Sequence, residues 1–157
     1  MEVLLKDKKF QMMQNRHCQE ILEYLMRKKL HFSIVCNVQC VKFEPTLPDS
    51  ISSAFSDLTV FILAGYTFES LEVDSQNLYF EAGFGEYNLG SFVTVPLRSI
   101  AQILLPNDDN LQTDFCIYIN LFATFAQMNT DVIAEEEGVN SSMQALLANP
   151  KNKRFKK

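Results

Sequence analysis

The run SLEVDSQNLYFEAGFGEYNLGSFVTVP, Ser70 to Pro96, decides how this chain folds. It reads as three short strands, SLEV, LYFEAGF and SFVTVP, separated by turn-forming DSQN and GEYNLG, which is the pattern of an antiparallel meander. Pro96 ends it by removing a backbone donor, and LRSIAQIL (Leu97 to Leu104) follows with Leu97, Ile100, Ala101 and Leu104 at helical spacing. Within the middle strand, alternation puts Phe80, Ala82 and Phe84 on one face and Tyr79, Glu81 and Gly83 on the other. Strand periodicity alone leaves open whether the two phenylalanines form core or surface.

Working outward, LTVFILA (Leu58 to Ala64) is a continuous apolar run, expected as a strand buried on both faces or at a sheet centre. Before it, PTLPDSISSAFSD is a loop with a short helical turn expected at Asp49 or Ser50. HFSIVCNVQCVKF alternates Phe32, Ile34, Cys36, Val38 and Cys40 with smaller or more polar residues and predicts one long strand. RHCQEILEYLMRKKL predicts an amphipathic helix with Asn15 as its cap, Cys18, Ile21, Leu22 and Leu25 on the apolar face, and Arg27 to Lys29 at its negative end. Tyr24 and Met26 widen that apolar surface toward either the core or a second subunit. Downstream, DFCIYINLFATFA (Asp114 to Ala126) begins like a strand and ends like a helix.

These elements divide the chain into a basic extension at residues 1–14, a mostly β domain (α+β by content) at 15–128 and a flexible tail at 129–157. The tail carries the acidic run Glu135 to Glu137 and the basic ending KNKRFKK.

With 157 residues, 47% of them hydrophobic, the chain has material for one ordinary core. The longest apolar runs are too short to span a bilayer and the start lacks a signal-peptide pattern, so a soluble cytoplasmic protein is expected. Between residues 30 and 150 only Lys42 and Arg98 are basic, against fifteen Asp and Glu, a balance that repels nucleic acid. Cys18, Cys36, Cys40 and Cys116 show no CxxC, and His17 and His31 no metal-binding spacing, so no metal is expected and the cysteines read as small core side chains. Cys36 and Cys40 would share one strand face, too far apart to bridge.

No catalytic constellation stands out. There is no GxSxG, no GxxxxGK[ST] and no GxGxxG, and the glycines of GFGEYNLG lie between strands rather than before a helix. Glu81 and Glu86 read as solvated carboxylates rather than an acid/base pair. The expectation is a protein that is not an enzyme and uses no cofactor.

The order HCQEILEYLMRKKL, HFSIVCNVQC, LTVFILA, SLEVDSQNLYFEAGFGE, FVTVP, LRSIAQIL resembles the SspB (stringent starvation protein B) family from about Asn15 to Leu105. Its most specific part is F-x-A-x-F-G-x at Phe80, Ala82, Phe84 and Gly85, with Val95 and Pro96 downstream. Glu86 departs from that motif's second glycine, Gly83 stands where arginine is common, and the turn is longer than usual. The resemblance implies a small Sm-like β-barrel with an N-terminal helix, a homodimer, and an adaptor that binds the ssrA degradation tag of stalled translation products and delivers them to ClpXP. It implies a peptide groove at Phe80, Ala82, Gly83, Phe84 and Gly85, floored by Ala82, where a bulky residue would block binding and spare the fold. It also implies a tail, Arg154, Phe155, Lys156 and Lys157, that docks on the N-terminal zinc-binding domain of ClpX. The alternative is an Sm-like interaction or assembly module; its RNA-binding variant is disfavoured by the acidic body.

Overall fold

A computed structural model describes residues 2–107 and 114–125. It opens with a short helix α1 (Glu2–Leu5) and the long helix α2 (Lys8–Arg27). α2 begins well before Asn15 because Asp7 supplies the cap: its carboxylate accepts the N–H groups of Lys9 at 3.0 Å and Phe10 at 3.2 Å. Residues assigned to a basic extension are thus helical, and the Phe10 ring meets Phe122 edge-on at 5.6 Å. Cys18, Leu22 and Leu25 are buried beneath α2. Met26 packs on the core, whereas Tyr24 stays half-exposed under the Arg27 and Lys28 cations, each 5.7 Å from the ring centroid.

The anticipated long strand is broken in two. β1 (Phe32–Asn37) ends where the Asn37 side chain accepts the Gln39 N–H at 3.2 Å and turns the backbone into a 3-10 segment, Val38–Cys40. β2 (Lys42–Glu44) then joins a different sheet, so Cys36 and Cys40 do not share a strand face. The expected helical turn is α3 (Asp49–Ser52), followed by β3 (Leu58–Leu63). Gly65, at φ +57°, opens α4 (Gly65–Glu69), which takes up the approach to the meander and leaves β4 only Glu72–Val73.

β5 (Asn77–Phe84) and β6 (Leu89–Pro96) complete the meander as anticipated, paired from Asn77 opposite Pro96 to Phe84 opposite Leu89. The DSQN turn is locked by Asp74, whose carboxylate accepts the N–H groups of Gln76 at 2.8 Å and Asn77 at 2.7 Å and the Tyr79 hydroxyl at 2.8 Å.

LRSIAQIL is not a helix. After a 3-10 turn at Leu97–Ser99 it runs as β7 (Ile100–Leu105), with Ile100 and Ile103 fully buried. A short apolar run fits helix and strand alike, and its place between two other strands settles the matter. The ambiguous downstream segment divides as its composition suggests: β8 (Phe115–Ile119), then a 3-10 turn at Leu121–Phe125.

The result is an α+β protein with two four-stranded antiparallel sheets, ordered β3-β1-β7-β8 and β2-β6-β5-β4. Among the described residues no strand pairing closes them into one barrel. One core cluster joins them, drawing Ile34, Cys36, Leu63, Ile100 and Ile103 from the first sheet, Leu78, Phe80, Val93 and Val95 from the second, and Cys18, Leu22 and Leu25 from α2. Its centre is aromatic: Phe61 of β3 lies 6.3 Å from Phe43, 5.8 Å from Phe80 and 6.2 Å from Phe84, all rings of the opposite sheet. LTVFILA is therefore an edge strand, not a central one. Phe61 and Leu63 face the core while Leu58, Val60 and Ile62 are exposed.

The cysteines separate by the same logic. Burial pushes the Cys18 and Cys36 thiols up to about 12, while Cys40 is half-buried and Cys116, against expectation, is exposed on the edge strand β8. At pH 8 a thiol of that pKa is thiolate in roughly one molecule in ten thousand. Iodoacetamide on the folded protein should modify Cys116 first and Cys40 more slowly, leaving Cys18 and Cys36 untouched until denaturant is added. Peptide mass mapping reads this out; early modification of Cys18 would contradict its place under α2.

Candidate peptide-binding cleft

β5 and β6 present two faces, and the sequence motif straddles them. Phe80 is fully buried. Phe84 is half-buried, with its ring 5.5 Å from Phe43 and 6.2 Å from Phe55. Both phenylalanines thus belong to the core side. Ala82 shares their face and packs against the same cluster, so what it turns to the opposite face is backbone.

Gly85 has a turn role. It sits at φ +76°, and a Cβ there would stand 2.7 Å from Ile51 Cδ1 of α3. Its carbonyl accepts the Asn88 N–H at 3.1 Å, and Asn88 closes the turn at φ 52°, a conformation that asparagine tolerates.

On the outer face lies an open cleft of about 430 Å³, lined by Glu44, Tyr66, Glu81, Gly83, Gly90 and Phe92, with Ala82, Asn88 and Ser91 along its margins. Gly83 and Gly90 are paired across β5 and β6 and form its floor. The two glycines differ in what surrounds them. A Cβ on Gly83 would fall 1.8 Å from Asn88 Oδ1, so the missing side chain lets Asn88 lie over the strand, while a Cβ on Gly90 would meet nothing within 4 Å.

Phe92 lies opposite both Glu81 and Glu44 in the ladders and stacks on Tyr79 at 6.0 Å and 19°. Tyr66 reaches over from α4 and its hydroxyl donates to the Glu81 carboxylate; losing that hydrogen bond, and then facing the carboxylate charge as a phenolate, holds the phenol above its ordinary pKa. At the inner margin the Ser91 hydroxyl donates to the Pro45 carbonyl at 3.1 Å.

A second feature concerns backbone access. Ser70 Oγ accepts the Glu81 N–H at 2.9 Å and donates its own proton to the Thr67 carbonyl at 2.7 Å, so for that N–H it takes the place of the strand partner that two-residue β4 does not extend to supply. Glu81 therefore points its backbone toward the β4 side, and Gly83, two residues on, points the same way beyond the end of β4. Strand backbone bordering a shallow wall is what an extended peptide needs.

Of the residues anticipated from sequence, the structure brings Ala82 and Gly83 to the cleft, places Phe80 and Phe84 behind it in the core, and gives Gly85 to the turn. Arg154, Phe155, Lys156 and Lys157 lie outside the described residues. Glu44, Tyr66, Asn88, Gly90, Ser91 and Phe92 were not anticipated. Only the glycines of GEYNLG hinted at them, because Glu44 and Tyr66 come from remote segments with no local pattern of their own.

Chemically the cleft carries two carboxylates, a tyrosine hydroxyl, the Asn88 amide and the Phe92 ring, and among the described residues no cationic side chain lines it. Among the described residues no group of three or more His, Cys, Asp or Glu is placed to hold a metal ion, and no helix is long and apolar enough to cross a membrane. Fold and site together define a small α+β protein that has, among the described residues, two antiparallel sheets and an open, glycine-floored cleft on the outer face of the second. No protein-family model matches the chain, and a search of curated proteins finds no match.

Proposed function

We propose that this chain is a non-catalytic, cytoplasmic adaptor of the SspB type, which holds the ssrA degradation tag in the cleft over Gly83 and Gly90 and delivers the tagged polypeptide to ClpXP. The observation that carries the proposal is the coincidence of the cleft with the F-x-A-x-F-G-x strand and hairpin, where Gly90 leaves the floor open and the strand backbone beside Gly83 runs beyond the end of β4. The order of helix, strands and meander agrees with an SspB-like, Sm-related architecture. In this reading the protein acts as a homodimer, and Arg154, Phe155, Lys156 and Lys157 tether it to the N-terminal zinc-binding domain of ClpX, raising the local concentration of cargo without tight contact by the body. The carboxylates of Glu44 and Glu81 favour a tag segment rich in N–H donors over an acidic one. The same charges, with the acidic body, disfavour the alternative of an RNA-binding Sm-like module.

Fluorescence anisotropy with a labelled peptide carrying the source organism's ssrA tag tests this. Saturable binding is expected, unaffected by removal of Lys151 to Lys157, whereas that truncation should abolish the acceleration of tagged-substrate degradation by ClpXP. Absence of peptide binding would sink the adaptor reading. An RNA gel shift at low salt with no peptide binding would favour the module instead.

A further inference from the structure

Across the outer face of the second sheet the strand ladders set three side chains in one row. Glu44 of β2 and Glu81 of β5 are both direct partners of Phe92 on the strand between them, β6, and directly paired residues project from the same face. The row is therefore carboxylate, aromatic ring, carboxylate, and all three groups line the cleft. Buried Tyr79 braces the ring, stacked on it at 6.0 Å and itself fixed by donating to Asp74 at 2.8 Å. Glu81 is positioned as well, because the Tyr66 hydroxyl binds its Oε2. Glu81 Oε1 and the Glu44 carboxylate take no hydrogen bond or ion pair from a described residue. Lys42, two residues before Glu44 on the same face of β2, stands opposite Thr94 and does not line the cleft.

The face of an aromatic ring carries partial negative charge, so all three groups of the row attract the same kind of ligand, a cation. A metal ion does not suit it, because the ring offers such an ion no ligand and the two carboxylates rise from strands about 10 Å apart. An organic cation with a flat face does.

We propose that the cleft takes the guanidinium of an arginine side chain, laid on Phe92 with its two edges toward Glu44 and Glu81, an inference that rests on reading the cleft as a peptide site but not on the peptide being the ssrA tag. The guanidinium is planar, stacks on aromatic rings and donates from both edges, whereas a compact ammonium satisfies one carboxylate at a time. The arginine belongs to an extended segment passing over Gly90, where the missing side chain leaves open space. The acidic body, with only Lys42 and Arg98 basic between residues 30 and 150, draws such a segment in.

Backbone-amide NMR spectra of the full chain, titrated with N-acetyl-arginine N-methylamide at constant ionic strength, test this. Saturable shifts are expected at Gly83, Gly90 and Phe92. The citrulline derivative, alike in shape but neutral, should bind on the order of 10-fold more weakly, as should arginine to the Glu44→Gln/Glu81→Gln double variant. Both glutamates are exposed, and the same spectra report whether the variant is folded. The lysine derivative should bind several-fold more weakly than arginine. No saturable shift at those amides, citrulline binding as tightly as arginine, or a folded double variant that binds like wild type would each overturn the assignment. Lysine matching arginine would do so too, by leaving only the general attraction of an acidic body. A tag peptide that fails to bind while the arginine derivative shifts these amides would remove the adaptor and keep the arginine site; a tag that binds while the arginine derivative shifts nothing would do the reverse.

Discussion

Phe61→Ala should lower stability by about 3–5 kcal/mol, and the melting temperature by roughly 10 °C, measured by urea and thermal denaturation. Phe61 is 7% exposed, and its ring contacts Phe43, Phe55, Phe80 and Phe84 at 5.8 to 6.3 Å. Three of those rings belong to the opposite sheet, so truncation removes more than one side chain's transfer energy. It also leaves a cavity at the seam that keeps the sheets together. Tyr24→Ala is the matching control: its ring is half-exposed, and a change within about 0.5 kcal/mol is expected. Equal effects in the two variants would mean that the aromatic seam is not where the sheets are held.

Gly90→Gln and Ala82→Gln should separate binding from folding. Gly90 faces the cleft, and a Cβ there meets nothing within 4 Å, so the glutamine enters open space at ordinary strand geometry. Stability should stay within about 0.5 kcal/mol of wild type, while affinity for the tag peptide falls on the order of 100-fold, about 2.8 kcal/mol. Ala82 was expected to floor the groove, with a bulky residue blocking it at little cost to the fold. Its side chain instead packs toward Phe80 and Phe84, so a glutamine there is forced against the core with an amide to satisfy. It should cost about 1–3 kcal/mol of stability. Denaturation midpoints and peptide anisotropy on both variants check this. Undiminished binding by Gly90→Gln would remove the cleft as the peptide site, and an unperturbed melting curve for Ala82→Gln would put that side chain on the outer face.

The meander was legible because its signals are local. Turn residues at DSQN and GEYNLG set the strand limits, and period-2 alternation set which residues share a face, so β5 and β6 lie where Phe80, Ala82 and Phe84 predict. The cap at Asp7 is equally local, but the apolar periodicity is clearest from Cys18 onward and points to Asn15 instead. Tyr66 and Glu44 carried no such signal: one reaches the cleft on α4 and the other on β2, and neither has a pattern that marks it apart from the fold.

By itself the sequence determined a single mostly β core under an amphipathic helix, a three-strand meander and an acidic body, since each follows from periodicity, turn chemistry or composition along the chain. Only the tertiary structure decided that LTVFILA is an edge, that IAQILL runs as a central strand, and that the small residues of FEAGFG divide between core, cleft floor and turn. Apolar runs look alike whichever neighbours they meet. What separates a central strand from an edge, or a groove from a core, is which other strands pair beside it, and no window along the chain contains that information.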